Sequence, residues 1–167
     1  MKLLELYYKK TRGRVPYYSK YSLRLIITKP IRKWINVVLI PNIPFSKMRV
    51  FLYRLIGFQI GRNVFIGMKC YMDNMDPKMT VIEDNVTISY CCKFSVHGRK
   101  QSHTPIRIKR DSYIGLNSTI ISGKNGITIG ERCIIGAGSV VVTDIPSDSV
   151  AVGVPAKVIK TLKDSCP

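Results

Sequence analysis

Ile60-Gly61-Arg62-Asn63-Val64-Phe65 is followed at once by Ile66-Gly67-Met68-Lys69-Cys70-Tyr71. The two blocks share one pattern. A large aliphatic residue comes first, then a small or polar one, two free positions, a small or β-branched residue, and one more free position. The period is six. A helix returns to its buried face about every 3.6 residues and a strand about every two, so six fits neither alone. Apolar anchors of the same kind recur at 60, 66 and 72, at 82, 88 and 94, at 108, 114 and 120, and at 129, 135 and 141. The rhythm breaks near Pro77, at residues 98–106 and at Gly123-Lys-Asn-Gly126. This pattern predicts an all-β solenoid in which each hexad makes one flat side and three hexads close a turn. Stacked turns bury the anchors in a continuous column. Residues 60–158 have room for about five turns of about 18 residues each.

The repeat also accounts for most of the cysteines. Cys70, Cys92 and Cys133 stand four residues after Ile66, Ile88 and Ile129, in the slot that Val64, Val86, Ser112, Ser118 and Ser139 fill elsewhere. A free cysteine serves there as a small buried hydrophobe. The adjacent pair Cys91-Cys92 lacks the spacing of a zinc site, and no metal is expected.

Outside the repeat, composition adds two constraints. The 167 residues carry 27 Lys+Arg against 10 Asp+Glu, a formal net charge of +17, with a hydrophobic fraction of 46%. Disordered, collagen-like and mucin-like chains are excluded by that apolar content. The charge is uneven. Residues 1–59 hold 13 Lys and Arg, with Glu5 the only acid, for a net of +12. A basic excess favours polyanionic partners: nucleic acid, anionic lipid or a phosphorylated substrate. No RNP, zinc-finger or helix-turn-helix pattern accompanies it, so nucleic acid is not expected. The longest charge-free stretch of this region, Trp34 to Ser46, contains Pro41 and Pro44 and is shorter than the about 20 apolar residues of a spanning helix. The opening Met1-Lys-Leu-Leu-Glu-Leu-Tyr-Tyr-Lys-Lys has charges where a signal peptide needs an apolar run. The expected location is therefore the cytoplasm, with reduced cysteines and a peripheral contact at the inner face of the membrane.

The division expected from these features is a basic, partly helical region over 1–58, the solenoid over 59–160 and a tail over 161–167. Ser19–Thr28 and Ser46–Ile56 read as short helices. In the second, Met48, Phe51, Leu52 and Leu55 fall at helical spacing as the buried stripe, with Lys47, Arg49 and Arg54 largely off it. Ser46 is positioned to cap that helix and Gly57 to stop it.

Ile129-Gly-Glu-Arg-Cys-Ile-Ile-Gly-Ala-Gly-Ser-Val-Val-Val-Thr-Asp-Ile-Pro146, continuing to Val152-Gly-Val-Pro-Ala-Lys-Val-Ile-Lys160, resembles the terminal turns of the bacterial hexapeptide-repeat acyltransferases. These include the maltose and galactoside O-acetyltransferases and the acetyltransferases of surface-polysaccharide clusters. The likeness covers roughly residues 57–160. It implies a left-handed parallel β-helix, a homotrimer, and transfer of an acetyl group from acetyl-CoA at the crevice between subunits, with no metal required.

The chemistry is attack of an acceptor hydroxyl on a thioester. An alcohol at neutral pH needs a general base, most often a neutral histidine. The chain has two histidines, His97 and His103, both at the 98–106 break. His97 matches the family's catalytic histidine, just before the protruding loop. His103, in Ser-His-Thr-Pro, matches more loosely as an acceptor-binding residue. The resemblance also implies an amide or carboxylate near the acceptor on the preceding turn, Met72-Asp73-Asn74-Met75-Asp76-Pro77. Asp73 is nearest by register and Asn74 is its neighbour. An oxyanion needs preorganised N–H donors, and the Ile-Gly-X match assigns that task to the backbone N–H of Leu116. The same match implies Tyr113 and Gly115 at the donor tunnel, Gly136 and Ala137 along the pantetheine arm, and Lys157 and Lys160 near the nucleotide phosphates.

The sequence thus predicts an acetyl-CoA-dependent O-acetyltransferase acting on a sugar or lipid-linked glycan in surface-polysaccharide biosynthesis. The basic leading region would lie against anionic membrane. A serine or amino-sugar acetyltransferase is the alternative within the same chemistry, and a basic nucleic-acid-binding protein a remote one. A γ-class carbonic anhydrase on the same solenoid would need three histidines around zinc, which this chain cannot supply.

Overall fold

The computed structural model describes residues 30–73, 76–97 and 103–162. The chain divides after Ile35. Of the leading unit, residues 30–34 are described as helical. The expected helix over Ser19–Thr28 lies outside the described residues.

The second unit is built on three parallel sheets. The first stacks β1 (Gln59–Ile60), β4 (Thr80–Ile82), β7 (Ile106–Ile108) and β10 (Ile127–Ile129). The second stacks β2 (Phe65–Ile66), β5 (Thr87–Ile88), β8 (Tyr113–Ile114), β11 (Ile134–Ile135) and β13 (Ser149–Gly153). The third stacks β3 (Tyr71–Met72), β6 (Lys93–Ser95), β9 (Thr119–Ile121) and β12 (Val140–Val141). Consecutive strands belong to consecutive sheets, so the chain winds as a parallel β-helix.

The expected anchors fall into register as three columns. Ile60, Ile82, Ile108 and Ile129 align in the first sheet, and Ile66, Ile88, Ile114 and Ile135 in the second. Met72, Phe94, Ile120 and Val141 align in the third. All but Ile60 are buried. Four coils are complete, fewer than the five expected. The fifth begins with Ile145 bridging to Ile129 and with β13 beside β11. A turn at Val154-Pro155 then sends β14 (Ala156–Thr161) back antiparallel along β13, so the third side of that coil never forms.

Two features explain the hexad. The glycine after the anchor lies where the next coil's main chain passes: a Cβ on Gly67 would stand 2.6 Å from the carbonyl carbon of Ser89. The position three after each anchor of the first two sheets, read as free from sequence, is the corner. Asn63, Lys69, Asn85, Cys91, Asp111, Asn117, Arg132, Gly138 and Asp148 all take left-handed φ there. Asn and Asp tolerate that conformation better than other side chains, and they fill most of these corners.

The small-residue slot is polar in a specific way. Cys70 Sγ donates to Ser89 O at 3.1 Å, Cys92 Sγ to Gly115 O at 3.1 Å, and Ser118 Oγ to Gly136 O at 3.0 Å. Cys133 Sγ does the same to Pro146 O at 3.0 Å. Cysteine and serine alternate because each carries one donor to the following coil and little bulk. Burial pushes the Cys133 thiol up from its ordinary value.

The first coil has no coil before it, so its outer edge leaves main-chain groups without partners. Residues 36–58 supply them and belong to the same compact unit as the coils. Helix α1 (Ser46–Leu55) lies along that edge. Arg49 bonds Ile66 O through Nε at 3.0 Å and through Nη2 at 2.5 Å, and Ile43 O through Nη1. Arg54 reaches Ile60 O at 3.0 Å and Gly61 O. Tyr53 Oη meets Cys70 O at 3.5 Å, and Asn36 Nδ2 donates to Met72 O at 2.7 Å. Lys69 N–H donates to Pro41 O at 2.8 Å.

The helix stops at Gly57, as expected, with φ at +109° and its N–H on Arg54 O. Ser46 does not cap it. Phe45 holds that position, and the Ser46 hydroxyl instead exchanges hydrogen bonds with the main chain of Ile66. The buried face is also not the expected one. Arg49, Val50 and Tyr53 face the coil, while Met48, Phe51 and Leu55 are exposed. The surface to be covered is a polar backbone edge, so donors win the inner face. Arg49 is buried with main-chain carbonyls as its hydrogen-bond partners; burial lowers its pKa below the ordinary arginine value. No helix of the described residues is long and apolar enough to cross a membrane.

Candidate active site

The three breaks in the repeat all leave the solenoid after a strand of the third sheet. Anchors follow one another by six residues round the other two corners, but Met72 to Ile82, Phe94 to Ile108 and Ile120 to Ile129 run longer. The first excursion contains a 3₁₀ turn, Pro77–Met79, capped by the Asp76 side chain on Lys78 N–H. The second is drawn together at its neck. His97 and His103 bridge as antiparallel partners, and Thr104 N–H donates to Val96 O at 3.0 Å. Thr104 Oγ1 lies 2.6 Å from Ser122 Oγ and donates to Gly123 O at 2.7 Å, which ties the neck to the next coil.

Asp73 follows β3 at this same edge and is wholly buried. Its N–H donates to Phe94 O at 3.1 Å, and its Oδ2 accepts from Val96 N–H at 3.2 Å. The same oxygen meets Nδ1 of His97. A buried carboxylate must be hydrogen-bonded to be tolerated, and here the bonds aim it at the ring. The contact assigns the proton of a neutral His97 to Nδ1, which leaves the Nε2 lone pair directed away from the carboxylate. The His97 side chain is 44% exposed. The arrangement can accept a proton at Nε2 while the carboxylate stabilises the resulting imidazolium, the division of labour of a base and its orienting acid.

Asp73 and His97, both expected in the site, are thus joined directly. Asp73 is turned to the ring and has no surface for an acceptor. His103 stands opposite His97 across the neck and is exposed. Asn74 lies outside the described residues. Val96, Thr104 and Ser122 escaped the sequence reading. Their tasks are main-chain and hydroxyl bonds, which leave no pattern of residue type.

The other expected residues gather elsewhere. Tyr113 is exposed on β8, with Gly115 and Leu116 at the corner that follows. Gly136 and Ala137 hold the equivalent corner one coil later. Gly115 N–H donates to Ile135 O at 2.8 Å, Gly138 N–H to Leu116 O at 2.7 Å, and a Cβ on Gly115 would come within 2.6 Å of Ala137 N. Lys157 and Lys160 are exposed on β14 at the end of the same sheet. These residues line the edge between the second and third sheets, whereas Asp73 and His97 line the edge between the third and first. Within one chain, the third sheet separates the two groups. Clefts of about 670 and 730 Å³ lie elsewhere on the surface, and neither is lined by His97 or Asp73. No cluster of metal-ligating side chains occurs among the described residues.

Residues 105–143 match the family model of the hexapeptide repeat of succinyl-transferase. The galactoside O-acetyltransferase of Escherichia coli (strain K12) is 36% identical over 123 residues, which are 65% of this chain and 59% of that protein. The chain thus spans less than two thirds of the length of the curated relatives it matches. A hexapeptide-repeat-containing acetyltransferase of Vibrio cholerae O1 biovar eltor, solved in complex with acetyl coenzyme A, superposes with a TM-score of 0.67 at 25% identity. That match covers 96% of this chain and 99% of the other. A maltose O-acetyltransferase of Clostridium difficile 630 superposes with a TM-score of 0.65 at 25% identity, over 87% of this chain and 91% of that one. With the repeat in its sequence and the coils in its structure, the chain is a hexapeptide-repeat protein similar to these acetyltransferases.

Proposed function

We propose that this chain moves an acetyl group from acetyl-CoA to a sugar hydroxyl. The observation that carries the reading is the wholly buried Asp73 carboxylate holding the exposed His97 ring by Nδ1 at the neck of a loop. Nε2 of His97 takes the acceptor proton as the acceptor oxygen attacks the thioester carbonyl. The Leu116 N–H stabilises the oxyanion, and the protonated ring returns its proton to the departing thiolate. His103, across the neck, lines the acceptor side.

Acetyl-CoA as donor is supported by the Vibrio cholerae relative solved with it. It is also supported by the cations Lys157 and Lys160 on the second sheet. The separation of this edge from His97 supports a site shared between two chains of a homotrimer, the dyad from one and the donor edge from its neighbour. A sugar acceptor is supported by the galactoside and maltose enzymes among the relatives. Surface polysaccharide is the pathway, and the acceptor is a glycan held at the cytoplasmic face of an anionic membrane, to which the basic leading region answers.

The test is thiol release from acetyl-CoA by the purified chain against galactosides, maltose, amino sugars and serine. Release with a neutral sugar, accompanied by an alkali-labile O-acetyl ester, is the expected result. Release with serine alone sinks the sugar reading, and no release with any acceptor sinks the transfer. Sedimentation of the active species at the mass of one chain would remove the shared site.

A further inference from the structure

Helix α1 is turned inside out relative to an ordinary surface helix. Its inner face carries Ser46, Arg49, Val50 and Tyr53 against the first coil, and its apolar stripe looks outward. Phe45, just before the helix, is 69% exposed, Met48 51%, Phe51 57% and Leu55 67%. At about 100° per residue, Met48, Phe51 and Leu55 fall in one sector roughly opposite the inner face, with Lys47 and Arg54 along one border. Between Glu5 and Asp73 the sequence contains no acidic residue.

We propose that this face docks on an anionic lipid bilayer, with Met48, Phe51 and Leu55 entering the headgroup boundary and Lys47 meeting lipid phosphates. An apolar stripe bordered by cations alone is the chemistry of an interfacial helix. Basic residues near an anionic surface add to its hold. A second copy of this chain is the wrong occupant, because a self-complementary contact on this stripe would set Lys47 and Arg54 against their own like. The inference deepens the proposed membrane location of the acceptor. It is read by lipid binding without any acetyl transfer, so each can fail while the other stands.

The experiment is co-sedimentation of the full chain with phosphatidylcholine vesicles and with vesicles in which a third of the lipid is phosphatidylglycerol. Binding to the anionic vesicles is expected to be at least about tenfold tighter and to weaken with salt. A triple variant, Met48→Ser, Phe51→Ser and Leu55→Ser, is expected to lose about tenfold or more of that binding at an unchanged thermal midpoint. Equal binding by the folded triple variant overturns the proposal, as does equal binding to neutral vesicles. A change of oligomeric mass in the triple variant also overturns it, since a second copy would then cover the stripe. Should that variant fail to fold, Trp34→Phe combined with Phe51→Trp decides. Trp34 is the only tryptophan, so the new indole reports alone. A blue shift of its emission on anionic vesicles supports insertion, and an unchanged emission overturns it.

Discussion

Nδ1 of His97 rests on Oδ2 of Asp73, an exposed ring held by a carboxylate that has no surface of its own. The carboxylate also takes the Val96 N–H at 3.2 Å, so its charge, its position and the ring's tautomer depend on one another. Asp73→Asn keeps the shape. An amide oxygen in the place of Oδ2 still accepts from Val96 and from Nδ1, but it no longer carries the charge that stabilises the imidazolium. Turnover should fall by about 10²–10⁴-fold, comparable to His97→Ala, with the KM for acetyl-CoA little changed. Steady-state kinetics of the two variants check this. A fully active Asp73→Asn removes the carboxylate from the mechanism, and an active His97→Ala beside a dead His103→Ala reassigns the base.

Arg49 is the largest buried charge of the described core, and its bonds go to carbonyls of the uncapped first coil. Arg49→Met fills similar volume but leaves Ile66 O and Ile43 O without these donors. A loss of about 2–4 kcal/mol of unfolding free energy is expected. Arg49→Lys should recover part of it. Urea midpoints measure both, and a Met variant as stable as the parent would show that water replaces the guanidinium at no cost.

Burial raises the Tyr53 hydroxyl above its ordinary value of 10.0. In the unfolded chain the phenol ionises near that value, while in the folded protein it stays protonated. Its contribution is therefore complete below about pH 10 and declines as pH rises toward the folded value, by about 1.4 kcal/mol per unit. Measured as a difference, Tyr53→Phe should gain stability relative to the parent between pH 9 and 11. Parallel curves for the two proteins contradict a buried, protonated phenol.

Gly67 and Gly138 should respond oppositely to a side chain. A Cβ on Gly67 meets the main chain of Ser89 and Tyr90 within 2.7 Å, and main chain cannot swing aside. Gly67→Ala should cost about 3 kcal/mol. Gly138 has φ at +69° and no atom within 4 Å of its missing Cβ. Asn fills equivalent corners at 63, 85 and 117, so Gly138→Asn should change stability by less than about 0.5 kcal/mol. Thermal midpoints of the two variants separate the roles.

The sequence told some of these features more plainly than others. The anchor columns were legible because burial repeats with the coil, and Cys70, Cys92 and Cys133 were legible as part of that repeat. The left-handed corners were missed as free positions, although Asn63, Asn85, Asp111 and Asn117 advertise them, because Lys69, Cys91 and Arg132 hide the rule. The inward face of α1 was read backwards. Periodicity marks an apolar stripe but not what lies beneath the helix, and beneath this one are carbonyls seeking donors. Of the candidate site, His97 and Asp73 were expected from family register. Their contact was not, because it depends on how a coil closes over an excursion of irregular length.

Those excursions share one seam. Round two edges of the solenoid the chain counts six and must keep counting, since one inserted residue there would turn every later anchor outward. After the third sheet the steps from one anchor to the next are 10, 14, 9 and 4 residues, and the columns still align. Along that line alone the fold forgives arithmetic. It is a spine on two sides and an open margin on the third, where length can be written in or struck out without disturbing the stack.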